Sequence, residues 1–298
     1  MTEYLSIILG KTKRIIILTF LIFLSNIPTF SQTSPRIALV LSGGGALGYA
    51  HIGVLQALDE EGIKPSIIAG TSMGAIVGAL YSQGYSGKQL FEFVKQRKLN
   101  NIYRNVHVSF LNINRGLGSY KHVHDLLNDA IPHNSFDSLS IPFICISTNI
   151  QTGKPEVRYS GNNLAEWVLA SASIPVVFKP QLIDGEYYCD GGFVDNLPAN
   201  YLPEDSYDIC IGIDLVPSKK PNTDNYFSEE YSASDVYCNM ILDINSVKGR
   251  EKCDYIIQPH KDVKYGLLDF RKYKILYQRG YNAMKQWIES HPEILERK

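Results

Sequence analysis

Two glycine-rich turns in this chain hold the residues best suited to chemistry. The first is Leu41-Ser42-Gly43-Gly44-Gly45-Ala46-Leu47-Gly48, and the second is Gly70-Thr71-Ser72-Met73-Gly74, a G-x-S-x-G. Each lies between an apolar, strand-like run and a helix-like run. Flanking glycines permit a sharp strand-to-helix turn that presents the Ser72 hydroxyl. A helix starting at Met73 also aims its dipole and free N–H groups at that hydroxyl. A serine is a poor nucleophile until a base takes its proton. The first turn supplies bare backbone N–H groups, chiefly those of Gly44 and Gly45, of the kind that stabilise an oxyanion. Gly43 and Gly48 permit the turn and close packing of the helix that follows. Nucleophile plus oxyanion hole is the equipment of acyl transfer.

Other readings of the same residues must be weighed. Gly43 to Gly48 also fits G-x-G-x-x-G, a dinucleotide fingerprint. That motif calls for an acidic residue at the end of the second strand, about 20 residues on. Here the second strand delivers Ser72 instead, and Glu60 and Glu61 fall at the end of the preceding helix. A carboxylate candidate comes later, in Tyr188-Cys189-Asp190-Gly191-Gly192. Spacing alone leaves Asp190 either a catalytic carboxylate or another turn residue. His260 follows the last strand, where a Ser-His-Asp hydrolase would carry its histidine. His51 reads as structural, and His122 and His124 as solvent-exposed, since H-x-H on a helix points in different directions.

These residues need a scaffold. Arg36 to Leu41, Ile67 to Ala69, Pro142 to Ser147, Ile209 to Leu215 and Tyr255 to Ile257 are apolar runs that predict buried strands. Helical patterns cover 47–61, 73–83, 86–98, 119–130, 163–172, 231–248 and 271–289. Gly70, Gly74 and Gly78 recur every four residues and would let one helix lie close to the sheet. Asp184-Gly185 predicts a hairpin turn. The polar stretch 217–230 reads as a surface loop. Recurring α and β patterns predict an α/β fold, a three-layer α/β/α sandwich with a mainly parallel central sheet. The aromatic-rich last helix, including Tyr273, Tyr277 and Trp287, reads as covering the core.

The chain has 298 residues, 45% hydrophobic, with a formal net charge of -1. That balance gives no basic surface for nucleic acid. Lys11, Lys13 and Arg14 precede an apolar run, Ile15 to Leu24, then a polar break and Thr29-Phe30-Ser31-Gln32. This pattern predicts a signal peptide over 1–31 and export to a periplasm, an outer membrane or the medium. The 5 cysteines form no C-x-x-C and suggest no pairing. Cys145, Cys210 and Cys253 lie in or beside apolar runs and read as buried thiols.

Three segments together resemble the patatin-like phospholipases, in their exported bacterial form. They are Gly43 to Leu55, Gly70 to Gly74, and Asp190-Gly191-Gly192-Phe193-Val194-Asp195-Asn196-Leu197-Pro198. Ala172-Ser173-Ile174-Pro175 with Phe178 and Pro180 is similar to that family's linking segment. The resemblance implies one such domain over 36–290 and a lipid acyl hydrolase with a Ser-Asp dyad. It makes Ser72 the nucleophile, Asp190 the base, and Gly43, Gly44 and Gly45 the oxyanion loop. Gly48, Gly70, Gly74, Gly191 and Gly192 support these motifs. It implies no cofactor or metal, a lipid or acyl-ester substrate, transient contact with a membrane surface and no nucleic acid. Leu47 departs from the Arg or Lys that many members carry there, which bears on phosphate recognition more than on ester cleavage. A catalytically weak lipid-binding protein, a Ser-His-Asp esterase and an acyltransferase stay open as alternatives.

Overall fold

The structure is a computed structural model that describes residues 35–96, 120–175, 178–216, 233–260, 266–267 and 269–295. The expected signal peptide and the polar loop at 217–230 lie outside the described residues, as do the ends of three expected helices, 97–98, 119 and 231–232.

Among the described residues eight strands form one sheet: β1 (Ile37–Leu41), β2 (Ile67–Thr71), β3 (Phe143–Asn149), β4 (Lys154–Arg158), β5 (Gln181–Ile183), β6 (Glu186–Asp190), β7 (Ile209–Ile213) and β8 (Tyr255–Ile257). Their spatial order is β5-β6-β3-β2-β1-β7-β8, with β4 also paired to β3. The centre is parallel: β1 pairs with β2 and β7, β2 with β3, and β7 with β8. The antiparallel part lies around β3, β4, β5 and β6. The apolar runs explain the core strands, because a parallel strand covered on both faces has no solvent side. Every residue of β1, β2 and β3 is buried. Side chains alternate as a period of two requires. Ile37, Leu39 and Leu41 enter one hydrophobic cluster, and Ala38 and Val40 enter the other. Burying each of the larger ones is worth about 1.5–3 kcal/mol.

The helices are α1 (Tyr49–Glu60), α2 (Met73–Ser82), α3 (Gly87–Gln96), α4 (Tyr120–Ala130), α5 (Leu164–Ser171), α6 (Ala233–Lys252) and α7 (Tyr273–Ser290). Helix α7 packs along α1 through Leu276, Gly280 and Met284, so its aromatic pattern is largely core-facing. Helix α6 runs over the segment after β6, with Gly249 against the Leu197 backbone. Sheet and flanking helices make the three-layer α/β/α sandwich.

Close approach explains the glycine pattern of α2. A Cβ on Gly74 would stand 2.1 Å from the Leu41 carbonyl oxygen, so the start of α2 lies directly on the end of β1. Leu41 pairs with both Gly70 and Ile213. The two glycine turns therefore emerge side by side at the carboxyl ends of the central strands β1 and β2, where ligands bind in open α/β sheets.

Two elements differ from the sequence-based expectation. Strand β4 is charged, contains Pro155 and is half exposed, so its sequence carries no apolar signal. The helix expected from 47 instead begins with a 3₁₀ turn, Gly45–Gly48, and becomes α-helical at Tyr49. The Asp184-Gly185 hairpin forms as expected, joining β5 to β6 with both turn residues at positive φ, 51° and 86°.

Candidate active site

Ser72 occupies the turn between β2 and α2 with φ 55° and ψ -120°. That backbone is strained for a non-glycine residue, a state worth about 1–3 kcal/mol that surrounding contacts must hold. They do so on both sides. The Ser72 N–H donates to Ser171 Oγ at 2.9 Å, and Ser171 Oγ donates to the Ile146 carbonyl at 2.5 Å. The Ser72 carbonyl accepts from the N–H groups of Ala75 and Ile76 in the first turn of α2. Its hydroxyl donates to Asp190 Oδ2 at 2.6 Å.

Asp190 is the last residue of β6, paired in register with Ser147 of β3. Its N–H donates to the Ser173 carbonyl, and its own carbonyl accepts from Thr148 Oγ1. Its second carboxylate oxygen accepts from the Gly192 N–H at 2.8 Å. Ser72 and Asp190 are only 4% and 3% exposed. Burial pushes the Asp190 carboxyl up to about 6, although the hydrogen bonds from Ser72 and Gly192 favour its charged form. Gly191 has no room for a side chain: a Cβ would stand 2.2 Å from the Ile146 carbonyl oxygen.

The loop after β1 is tied down by backbone hydrogen bonds on both sides of Gly44 and Gly45. Ser42 N–H donates to the Ile213 carbonyl, Gly43 N–H to the Asn196 carbonyl and Ala46 N–H to the Leu267 carbonyl. Ser42 Oγ accepts from the Leu215 N–H. The Gly43 N–H is thus spent on Asn196, whereas the family resemblance implied Gly43 as part of the oxyanion loop. Among the described residues, the N–H groups of Gly44 and Gly45 donate to no protein acceptor. Both glycines, Ser72 and Asp190 border one small pocket of about 30 Å³.

Gly45 is required by its backbone. It has φ 54°, and a Cβ there would stand 2.2 Å from the Leu267 carbonyl oxygen. Gly45→Ala is therefore expected to displace the loop and, on the acyl-hydrolase reading proposed below, to lower kcat about 10²–10³-fold, the range for losing one oxyanion donor. Steady-state kinetics beside a thermal melt check this; a folded variant with unchanged kcat contradicts it.

A second, larger cavity of about 120 Å³ opens at Ser72 and Gly45. It runs between Ile76, Leu80, Leu90 and Phe93, and Ile174 and Phe178 of the linking segment lie on its wall. Its lining is almost wholly apolar.

Two buried histidines meet carbonyls of the first glycine-rich turn. His51 Nε2 lies 2.8 Å from the Ser42 carbonyl, an acceptor, so this nitrogen carries the proton. Burial pushes His51 down to about 4, which keeps it neutral. His260 is buried, lowered to about 4 by that burial, with Nε2 3.4 Å from the Leu47 carbonyl. It follows β8, at the opposite edge of the sheet from β6 and Asp190. His124 is half-buried and its ring meets Asn128; the His122 side chain lies outside the described residues. Leu47 is buried in the core. Among the described residues no cluster of His, Cys, Asp and Glu has a metal-binding arrangement.

Sequence reasoning missed three supports. Ser171 holds the Ser72 turn from the end of α5. Asn196 holds Gly43 through its carbonyl, donates from Nδ2 to Ser246 Oγ at 3.0 Å and from its N–H to the Asn245 carbonyl. Asn245 Nδ2 in turn donates to the Gly192 carbonyl at 2.9 Å. Helix α6 thereby braces both the first glycine loop and the Asp190 turn. Only Asn196 had a local signal, its place in the segment 190–198.

The profile of the family described as patatin-like phospholipase matches residues 39–203. The chain is 29% identical to lysophospholipase nte1 of Aspergillus fumigatus over 282 residues, which is 85% of this chain and 18% of that protein. It is 36% identical over 187 residues to an uncharacterized NTE family protein of Mycobacterium bovis, covering 62% of this chain and 50% of the relative. The chain thus spans half or less of the length of these relatives. Among solved structures, VipD from Legionella pneumophila superposes with a TM-score of 0.48 at 15% identity, covering 87% of this chain and 67% of that one. With the family profile spanning more than half of its length, this chain belongs to the patatin-like phospholipases.

Proposed function

We propose that the protein is a serine acyl hydrolase of lipid esters, with Ser72 as nucleophile, Asp190 as its base, and the Gly44 and Gly45 N–H groups as oxyanion donors. The observation that carries this reading is the buried 2.6 Å hydrogen bond from Ser72 Oγ to Asp190 Oδ2. In the first step Asp190 takes the hydroxyl proton as Oγ attacks the acyl carbonyl. The oxyanion is held by the loop N–H groups, the alcohol leaves with the proton, and an acyl-serine remains. Water then attacks the acyl-serine, Asp190 acts again as base, and the fatty acid is released.

The larger apolar cavity supports a fatty-acyl substrate, since it starts at Ser72 and offers an acyl chain a path away from water. A lipid surface as the source of substrate is supported by α6. Tyr237, Met240, Ile244 and Val247 are exposed at helical spacing on α6, while Cys238, Ile241 and Leu242 of the same helix line the small pocket. No described helix is long and apolar enough to cross a membrane. Export by the N-terminal segment belongs to the same proposal. So does the choice of a phospholipase or lysophospholipase substrate, in keeping with the fungal relative's name.

The test is labelling with a fluorophosphonate, followed by peptide mapping, beside fatty-acid release from phosphatidylcholine and lysophosphatidylcholine vesicles or micelles. Adduct formation at Ser72 and acyl release are expected. An unlabelled Ser72 in folded protein overturns the reading.

A further inference from the structure

Two cysteines outside the candidate site lie against each other. Cys210 Sγ is 3.2 Å from Cys253 Sγ. Cys210 is fully buried in β7, and Cys253 is half-buried just after α6. The backbone holds them there. Cys210 N–H donates to Asp254 Oδ2 at 2.7 Å, and Asp254 N–H donates to the Cys210 carbonyl at 2.9 Å. The residue after Cys253 is therefore bonded to Cys210 on both sides, and β8 then pairs with β7 in parallel. Only a small movement of the two side chains separates this contact from a covalent bond.

We infer that Cys210 and Cys253 form an oxidative cross-link that clips the C-terminal end of α6 to the sheet. A disulfide-bearing oxidant, a small molecule or an oxidoreductase, supplies the chemistry. The Cys253 thiolate attacks one sulfur of that disulfide and expels the other as a thiol. Cys210 then attacks Cys253 Sγ and releases the second thiol. Two protons and two electrons leave the cysteine pair, and the oxidant's S–S bond is reduced. Once the fold is formed Cys253 is the first to react, because Cys210 then has no access to solvent. The hydrogen bond with the Cys210 thiol, and then burial, push the Cys253 thiol up, so attack in the folded protein is slow. The bond forms chiefly while the chain folds.

The cross-link acts on the brace described above. Helix α6 holds Asn196 through Asn245 and Ser246, holds the Gly192 carbonyl through Asn245, and holds the buried Asp214 carboxylate through Arg250 Nε at 2.6 Å. Arg250 and Gly249 lie within one turn of Cys253. Pinning this end keeps α6 seated on the two loops that flank Ser72.

The experiment refolds the mature protein in a reduced/oxidised glutathione buffer, then denatures it and alkylates free thiols. Three of the 5 cysteines are expected to alkylate, and a non-reduced peptide map is expected to show Cys210 joined to Cys253. The oxidised form is expected to melt on the order of 5–10 °C above the reduced form. The Cys253→Ser protein, carrying the four remaining cysteines, is expected to show no redox-dependent shift. Five alkylated thiols, or a different linked pair, overturn the inference. The readout is a mass and a melting temperature, so it does not depend on the proposed hydrolysis.

Discussion

Ser72→Ala is expected to lower kcat/KM toward p-nitrophenyl esters and lipid substrates on the order of 10⁴–10⁶-fold, the range for deleting a serine nucleophile. The expectation follows from the role of one atom. In the proposed mechanism Oγ forms the acyl bond, and alanine keeps everything else in the turn. The Ser72 N–H still donates to Ser171, and its carbonyl still accepts from Ala75 and Ile76. The strained φ of 55° remains as well, because alanine also carries a Cβ. Structure should therefore survive while activity goes. One loss is electrostatic. Asp190 no longer accepts a hydrogen bond at Oδ2 yet stays buried, so a modest loss of stability, about 1–3 kcal/mol, is expected at pH 8. Kinetics, circular dichroism and a thermal melt on the same preparation check the prediction. Hydrolysis above about one-tenth of the wild-type rate would sink the proposed mechanism, since no other nucleophile in it takes the acyl group.

How much of this was legible before the structure depends on the range of each signal. The core strands were legible because a buried parallel strand writes itself as a continuous apolar run, as in Ile37 to Leu41 and Phe143 to Ile146. The turn at Asp184-Gly185 was legible because positive φ selects those residue types. Strand β4 was not, since an edge strand reading Lys-Pro-Glu-Val-Arg has no apolar face to report. The position of His260 after the last strand looked like that of a triad histidine. Chain order could not reveal that β8 lies at the far edge of the sheet, beyond β1 and β7. Sheet order is set by tertiary pairing, which a linear pattern does not contain. The same limit hid Ser171, Asn245 and Ser246. Each is an ordinary helix residue in sequence, and its partner lies about 50 to 100 residues away. The Cys210–Cys253 contact was hidden likewise, because an odd number of cysteines with no short spacing offers no pair. Among the glycines, sequence showed that a loop of bare N–H groups exists. Only the backbone bonds showed that Gly43 spends its own on Asn196.

Asp190→Asn is expected to separate activity from stability, and in opposite directions. Asparagine has nearly the same shape as aspartate. Its Oδ1 can still accept from the Gly192 N–H, while its Nδ2 now donates toward Ser72 Oγ. The serine hydroxyl then has no acceptor for its proton, and kcat/KM is expected to fall about 10²–10⁴-fold, the range for losing a general base. In the wild type, kcat/KM should rise with pH through an apparent value of about 6 and level off above it, because only the charged carboxylate can take the proton. The variant's residual activity should lack that rise. Stability runs the other way. The folded state holds the Asp190 proton up to about 6, whereas the unfolded chain releases it near 3.9. Between these values the native state binds more protons, so this group's contribution to stability falls as pH rises. Above pH 6 the full cost of a buried charge is present, about 3 kcal/mol from the difference in the two values. Asp190→Asn removes that cost and should melt above the wild type at pH 8, with the gap closing toward pH 4. Asp195, which burial also raises to about 6, titrates in the same window. It does so in both proteins, so the difference between their melting curves isolates Asp190. A variant that keeps wild-type activity would remove Asp190 from the mechanism. One that loses activity but melts lower at pH 8 would show that its carboxylate is held by more than the hydrogen bonds from Ser72 and Gly192.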